Sequence, residues 1–425
     1  MKRRQWGSMV LAGILAAGML TGAQASAAEG EKKLEVEVDY TSEALDSFRL
    51  LMDGFTEETG IAVELVTPGT DYETVIKTRL ASADMPDVFI THGWSINRYK
   101  EYLLELNDQP WIEEVSESIR SVISDKDGKI YVLCVTQGVG GMEYNQDVLA
   151  KVGVDPASIR TMDDFQEACA KIKEAGINPV FIGGKDYWTS ANFMNLLAAA
   201  YYTADGCICP SGEALKDGSF DWETDGMHYF NAVKDMINNG YFNENFITAD
   251  EVTGIESLAN GKTAFLVGGI AVERAKSYNE SANIGVMPVP ATAEEGKSLY
   301  QVGEGSAFGI WKDSEYIEEA KQLLEYLARA EVAEQILAAD ANLPALNNIN
   351  TAESLTYEAF TKSEKEFEGD ICYQNLFDRE FLPNGMWSVL SDSMIEVFMN
   401  PTEEGVQVAV EGMQENYVEK LEAAE

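Results

Sequence analysis

Hydrophobic and polar positions follow two alternating periods along the first part of the chain. Apolar and acidic residues alternate over 34–39, and a second alternating stretch covers 61–65; both have the two-residue period of a β-strand. Apolar residues recur at helical spacing over 45–55, and 71–82 is also typical of a helix. A short apolar strand at 87–90 completes a βαβαβ order. This order predicts an α/β fold with a mainly parallel sheet flanked by helices.

The ends of the predicted strands carry polar and aromatic residues. In open parallel sheets, ligands bind beyond the carboxyl ends of the strands. In this chain the first strand is followed by 40–42 (YTS), and the third by 91–94 (THGW). The pattern therefore predicts a ligand-binding face at this edge of the sheet.

The middle of the chain changes character at a glycine-rich segment. A strand pattern over 129–136 leads into 137–141 (QGVGG), where glycines allow the backbone excursions of a domain hinge. Strand and helix patterns then continue, and 351–425 is predicted to be largely helical. We find no internal repeat and no low-complexity linker.

The N-terminus has the three parts of a secretory signal peptide. Basic residues at 2–4 precede an apolar run at 9–20, and small residues at 23–27 fit the A-x-A cleavage pattern. The apolar run is short for a membrane span, which takes about 20 residues. We therefore predict a signal peptide at 1–27 and an exported protein, periplasmic or extracellular. The first cysteine is Cys134, so lipid attachment near the cleavage site is not expected.

Charge and cysteine content narrow the class of protein. The formal net charge is −41 at pH 7, and such a surface repels nucleic acid, so no nucleic-acid partner is expected. Five scattered cysteines predict neither a dense disulfide framework nor a structural zinc site. Cys134 and Cys169 have apolar neighbours typical of a core, whereas Cys207 and Cys209 could form a disulfide or remain apart.

Catalytic motifs are missing from the sequence. The two histidines, His92 and His228, have no metal-ligand spacing, and neither a nucleophile elbow nor a phosphate-binding loop occurs. The sequence thus predicts no enzyme, no catalytic residue, no metal and no cofactor. One enzyme alternative stays open, a secreted acidic glycosidase, because glycosidases need only two carboxylates that the fold brings together.

Tryptophans divide into two groups by context. Trp94, Trp188 and Trp387 lie in polar or glycine-rich surroundings, where indole rings can stack on the apolar faces of sugars. For Trp111, Trp222 and Trp311 we expect core packing, the common fate of tryptophan. The first group indicates a carbohydrate-like ligand.

Seven short motifs, in order along nearly the whole mature chain, carry a family resemblance. They are 55–61 (FTEETGI), 80–89 (LASADMPDVF), 127–132 (DGKIYV), 143–147 (EYNQD), 161–165 (TMDDF), 260–265 (NGKTAF) and 343–344 (LP). Each motif alone is weak, but their order is specific. The chain resembles the family 1 extracellular solute-binding proteins of ABC importers, which include maltose- and oligosaccharide-binding proteins.

The resemblance implies a two-lobed periplasmic-binding-protein fold of type II, with a mainly parallel sheet flanked by helices in each lobe and the ligand between them. Lobe one would hold 34–135 with 267–312, and lobe two 136–266 with 313–425. Carried over residue by residue, the ligand-binding candidates are Ser42, Glu43, Thr91, His92, Trp94, Gln137, Asp186, Tyr187, Trp188, Gly269, Glu304 and Trp387.

The function that the resemblance implies is transport without chemistry. The protein would act as a monomer, capture a mono- or oligosaccharide by lobe closure and deliver it to a membrane permease. Many family members place a tryptophan just after the glycine pair that ends the second crossing strand, whereas this chain has Ile270 and Ala271 there. Because the site candidates are also acidic, a polyamine or other small cationic solute remains the alternative ligand.

Overall fold

A computed structural model describes residues 33–40, 42–68, 72–91, 99–202, 211–270, 272–292, 296–340, 342–351 and 354–423. Its strands are β1 (Lys33–Glu37), β2 (Ala62–Val66), β3 (Val88–Ile90), β4 (Val132–Cys134), β5 (Thr136–Asn145), β6 (Asn178–Phe181), β7 (Thr263–Gly269), β8 (Ile284–Met287), β9 (Ser298–Glu304), β10 (Ala307–Ile310), β11 (Leu343–Pro344) and β12 (Ile371–Gln374).

The helices surround these strands. They are α1 (Ser42–Thr59), α2 (Tyr72–Ser82), α3 (Glu117–Ile123), α4 (Gln146–Val152), α5 (Met162–Glu174), α6 (Tyr187–Tyr202), α7 (Gly212–Asp217), α8 (Met227–Asn238), α9 (Glu251–Ala259), α10 (Val272–Tyr278), α11 (Ile317–Leu327), α12 (Ala330–Asp340), α13 (Leu355–Glu366), α14 (Phe377–Phe381), α15 (Met386–Met399) and α16 (Glu403–Glu422). Within the described ranges, no helix combines the length and the apolar character that crossing a membrane requires.

The first sheet contains the predicted βαβαβ unit. Its strand order is β2-β1-β3-β10-β4, with β1 parallel to β2 and β3. The returning strand β10 is antiparallel to both β3 and β4. Val36 and Phe89 are buried from the sheet and Phe48 from α1, which shows that the alternating and helical apolar positions of the sequence face one core.

The second sheet is mixed rather than mainly parallel. Its order is β12-β9-β5-β7-β6, and β8 and β11 also pair with β5. The pairs β6–β7 and β9–β12 are parallel, but β5 is antiparallel to β7, β8, β9 and β11. The long β5 accounts for this difference from the prediction, because four later strands pair with it in the opposite direction.

Two segments pack with the sheet opposite to the predicted one. The strand β9 lies in the second sheet, although 267–312 was expected in lobe one. The helices α11 and α12 belong to the first core, through buried residues such as Leu323 and Ile336, although 313–425 was expected in lobe two. The reason is that α12 packs on α1, a long-range contact that local pattern does not encode. The lobe boundaries themselves stay a prediction.

Tryptophan and cysteine positions mostly match the sequence analysis. Trp111 and Trp222 are buried and Trp311 packs against the first core, as predicted. Cys134 and Cys169 are buried, and burial raises the pKa of the Cys169 thiol well above its ordinary value. Cys372 is disulfide-bonded, and Cys207 and Cys209 lie outside the described residues.

Candidate ligand-binding site

The carboxyl ends of β1 and β3 form the first candidate edge. Ser42 and Glu43 begin α1 directly after β1, and Thr91 follows β3. The N–H of Thr91 donates to Ala307 O at 3.0 Å, which anchors this residue to β10. Its buried Oγ1 has no hydrogen-bond partner among the described residues, so a hydroxyl remains to be satisfied at this edge. The predicted residues His92 and Trp94 lie outside the described residues.

The carboxyl ends of the parallel strands β6 and β7 form a second edge, and it holds a pocket. The pocket has about 550 Å³ of empty space, counted with its open mouth. Its lining combines apolar side chains with polar or charged ones. The apolar side chains are Phe181, Trp188, Ile255, Leu266 and Val267; the polar ones are Glu143, Thr189, Asn192, Glu251 and Arg274. We call this space the Trp188 pocket.

Trp188 is presented to solvent as the sequence analysis expected. It is the second residue of α6 and is 42% exposed. Asn192 follows one helical turn later on the same face and also lines the pocket. A helix face thus offers an indole ring and an amide side by side, which suits the apolar faces and the hydroxyl groups of a sugar.

The loop before Trp188 is fixed to the segment that precedes α9. Gly184 N–H donates to Phe246 O at 2.8 Å, and Lys185 N–H donates to Ala249 O at 3.0 Å. The Asp186 carboxylate accepts a hydrogen bond of 2.8 Å from the N–H of Glu251. Asp186 therefore holds the loop in place; its predicted contact with a ligand stays a prediction. Tyr187 begins α6.

Glycines leave one wall of the pocket open. A Cβ atom at Gly268 or Gly269 would have no heavy atom within 4 Å, so a ligand can approach the backbone of β7 there. The next residue, Ile270, is 8% exposed, and its N–H donates to Val139 O at 3.0 Å. The position where relatives were expected to carry a stacking tryptophan is therefore part of the core.

Charged residues that sequence reasoning missed complete the pocket. Arg274 Nη1 and Nη2 donate to the two carboxylate oxygens of Glu251 at 2.8 and 2.6 Å. This hydrogen bonding raises the pKa of Arg274, against the opposing effect of burial, and the nearby Glu143 carboxylate raises it further. The three residues come from β5, α9 and α10, so only the fold brings them together.

The remaining predicted residues lie elsewhere. Gln137 and Glu304 face each other across β5 and β9, and both are buried. The Gln137 amide donates to Pro344 O at 2.7 Å and accepts from Ser118 Oγ at 3.0 Å, so Gln137 ties strands together. It lines a different pocket from Trp188. Trp387 is half-buried near the start of α15, and its ligand contact stays a prediction.

Metal coordination has no candidate in the described part of the chain. No group of three or more His, Cys, Asp or Glu residues is placed there to hold an ion.

Two sheets flanked by helices, and a pocket at the carboxyl edge of parallel strands, define the chain as a two-lobed solute-binding protein. Residues 39–334 match the model of the bacterial extracellular solute-binding protein family, and the chain belongs to that family. It is a family of transport binding proteins rather than enzymes. The fold and the family resemblance inferred from the sequence are thus confirmed.

Relatives of the chain are known in sequence and in structure. It is 32% identical over 356 residues to the melibiose/raffinose/stachyose-binding protein MelE of Bacillus subtilis (strain 168), covering 82% of this chain and 81% of that one. An open structure of the binding protein MsmE of B. subtilis strain 168 superposes with a TM-score of 0.85 at 28% identity, covering 93% and 98% of the two chains. A Bacillus licheniformis sugar transporter in complex with stachyose gives 0.73 at 30% identity, covering 91% and 99%.

Proposed function

We propose that the chain is the extracytoplasmic substrate-binding component of an ABC importer and captures an oligosaccharide of the melibiose, raffinose and stachyose series. The observation that carries the proposal is the exposed indole of Trp188 beside the open glycines of β7, with Asn192 in the same pocket. The names of MelE and of the stachyose-bound structure support this ligand class.

The contacts available suffice for useful affinity. A micromolar dissociation constant corresponds to about −8 kcal/mol. A hydrogen bond to a charged group contributes about 1.5–3 kcal/mol, and a well-placed aromatic pair about 0.5–1.5 kcal/mol beyond burial. The pocket offers Trp188, Asn192 and the charged group of Glu143, Glu251 and Arg274. Contacts from the first-sheet edge would add to these on closure.

Lobe closure would couple binding to delivery. A ligand that touches both lobes binds the closed arrangement better and shifts the population toward it. In this proposal the closed form docks, as a monomer, on the permease and releases the unchanged sugar.

The proposal places the protein outside the cytoplasm. Residues 1–27 have the pattern of a signal peptide, and the disulfide bond of Cys372 fits an oxidising compartment.

A ligand screen tests the proposal and its alternatives. Melibiose, raffinose, stachyose and spermidine are added to the purified mature protein in a thermal-shift series, followed by calorimetry. A true ligand stabilises by RT ln(1 + [L]/Kd), so the shift should grow with sugar concentration. Stabilisation by spermidine alone would favour the cationic ligand. Release of galactose from raffinose on long incubation would favour the glycosidase.

A further inference from the structure

The Trp188 pocket contains two carboxylates and one guanidinium. Among its described lining residues, Arg274 carries the positive charge, and Glu143 and Glu251 carry negative charges. The Glu251 carboxylate binds Arg274 in a two-pronged pair, with Nη–Oε distances of 2.8 and 2.6 Å. Such forked pairs have the strongest geometry of protein ion pairs. The Nη1/Nη2 edge of the guanidinium, one of the edges that can bind a ligand carboxylate, is therefore already occupied.

The second carboxylate reinforces this arrangement. Glu143 lies on β5 and is 5% exposed, so its charge is little screened by water. It is close enough to raise the pKa of Arg274, as does the pair with Glu251. The formal charge of the three side chains together is negative, although one of them is an arginine.

A sugar with a carboxylate and a neutral sugar meet this pocket differently. The anionic sugar must approach two carboxylates and finds the Nη1/Nη2 edge of Arg274 already taken by Glu251, which is unfavourable at close range. A neutral sugar brings hydroxyl groups, which can donate to the carboxylates and accept from the outer N–H groups of the pair. The same three residues therefore favour one class of sugar and oppose the other.

We propose that Glu251, supported by Glu143, is a specificity-determining residue that holds Arg274 in a paired state and so restricts the pocket to neutral oligosaccharides, excluding uronic-acid sugars. This inference rests on the proposed function, because it concerns the choice among saccharides at the same pocket. The restriction to neutral sugars acts only at short range, within the pocket. The Debye length is about 8 Å at physiological salt, so most of the overall negative charge acts weakly at the pocket.

Two single substitutions on α9, each removing one negative charge, separate local from long-range electrostatic effects on sugar binding. Glu251→Gln frees Arg274, whereas Glu256→Gln removes the same charge from an exposed position on the same helix. Dissociation constants for raffinose and for digalacturonate are measured by calorimetry at neutral pH and about 0.15 M salt. We expect the wild type and Glu256→Gln to bind raffinose and to discriminate strongly against digalacturonate.

In Glu251→Gln the ratio of the two dissociation constants, digalacturonate over raffinose, should fall by about tenfold or more, since a charged pair becomes available to the acidic sugar. Adding Arg274→Gln should abolish that gain. Equal binding of the two sugars by the wild type would overturn the inference, as would a ratio in Glu251→Gln that matches Glu256→Gln. Absence of raffinose binding in every variant would instead contradict the proposed function.

Discussion

The carboxylate of Asp186 accepts a hydrogen bond of 2.8 Å from the backbone N–H of Glu251. That N–H is one of the first-turn donors that helix α9 cannot satisfy internally. Asp250 Oδ1 serves another of them, the N–H of Thr253, at 3.0 Å. One hydrogen bond thus joins the loop that presents Trp188 to the helix whose Glu251 binds Arg274.

Replacing Asp186 by alanine should therefore weaken sugar binding by displacing the loop before Trp188, rather than by removing a direct contact with the sugar. Loss of a helix-terminal acceptor costs about 0.5–2 kcal/mol of folding stability, and the loop before Trp188 loses one of its anchors. We expect a lower free energy of unfolding together with a several-fold weaker affinity for raffinose. Urea unfolding and calorimetry on the same preparations measure both quantities.

An exposed aspartate provides the control for Asp186. Asp53 lies on α1, faces solvent and carries the same charge. Asp53→Ala should leave both the unfolding free energy and the raffinose affinity close to wild type. If Asp186→Ala keeps full affinity while losing stability, its anchoring role for the pocket is wrong.

The indole of Trp188 should contribute to affinity without contributing to stability. Because it is 42% exposed, truncation to alanine leaves no cavity in the core. An aromatic stacking contact is worth about 0.5–1.5 kcal/mol beyond area burial, so we expect raffinose affinity to fall by about tenfold with an unchanged melting temperature. Tyrosine at this position should restore much of the affinity, since a flat ring is retained.

A second exposed aromatic separates pocket effects from surface effects. Tyr278, at the end of α10, is similarly exposed and does not line the Trp188 pocket. Tyr278→Ala should bind raffinose like the wild type. Equal losses in Tyr278→Ala and Trp188→Ala would show that the pocket is not where the sugar lies.

The sequence predicted well those parts of the molecule that depend on the local pattern of hydrophobic and polar residues. The alternation over 34–39 correctly predicted β1, because its apolar residues Leu34 and Val36 are buried against the first sheet's core. The exposure of Trp188 followed from its place in a glycine-rich loop after a strand. Such features depend on neighbours within a few residues, which a sequence shows directly.

The rest depends on contacts between distant segments. The Gln137 amide accepts from Ser118 and donates to Pro344 O, which is 207 residues further along the chain, and its predicted ligand contact stays a prediction. The sequence did not indicate that Arg274 and Glu251 belong to the pocket, because isolated charged residues do not stand out in a chain with 72 acidic residues. The long-range pairing of β9 with β5 is likewise not predicted by any local sequence pattern.

Two glycines of the second sheet should respond in opposite ways to a methyl group. At Gly269 a Cβ meets no heavy atom within 4 Å, whereas at Gly141 it would lie 2.7 Å from Tyr300 Cε1 and 2.9 Å from Met287 O. Gly141→Ala should therefore destabilise the protein by about 1–3 kcal/mol, as overpacking of a core does. Gly269→Ala should keep the wild-type melting temperature.

The same pair tests the open wall of the pocket. A methyl group at Gly269 occupies space beside Trp188 that we assign to the sugar, so raffinose affinity should drop several-fold in a stable protein. Thermal unfolding and calorimetry of both variants give the comparison. Unaltered affinity in Gly269→Ala would place the sugar away from the end of β7.

A capping box at the start of α5 should make part of the stability depend on pH. Asp164 Oδ2 accepts from the N–H groups of Thr161 and Arg160 at 2.9 and 3.1 Å, and Thr161 Oγ1 accepts from Asp164 N–H. Burial alone would raise the pKa of Asp164, but the hydrogen bonds from Thr161 and Arg160 outweigh it and leave the pKa below its ordinary value. The charged form is therefore favoured by folding.

A depressed pKa in the folded state contributes stability above the unfolded pKa, which is about 3.9 for aspartate, and that contribution disappears as pH falls through the folded value. Asp164→Asn should accordingly lower the free energy of unfolding by about 1 kcal/mol at pH 7. The difference from wild type should shrink on acidification below about pH 4. Urea unfolding across this range measures it, with Asp163→Asn, next in sequence and exposed, as the charge-matched control. A difference that stays constant with pH would mean that the charge of Asp164 does not stabilise the helix.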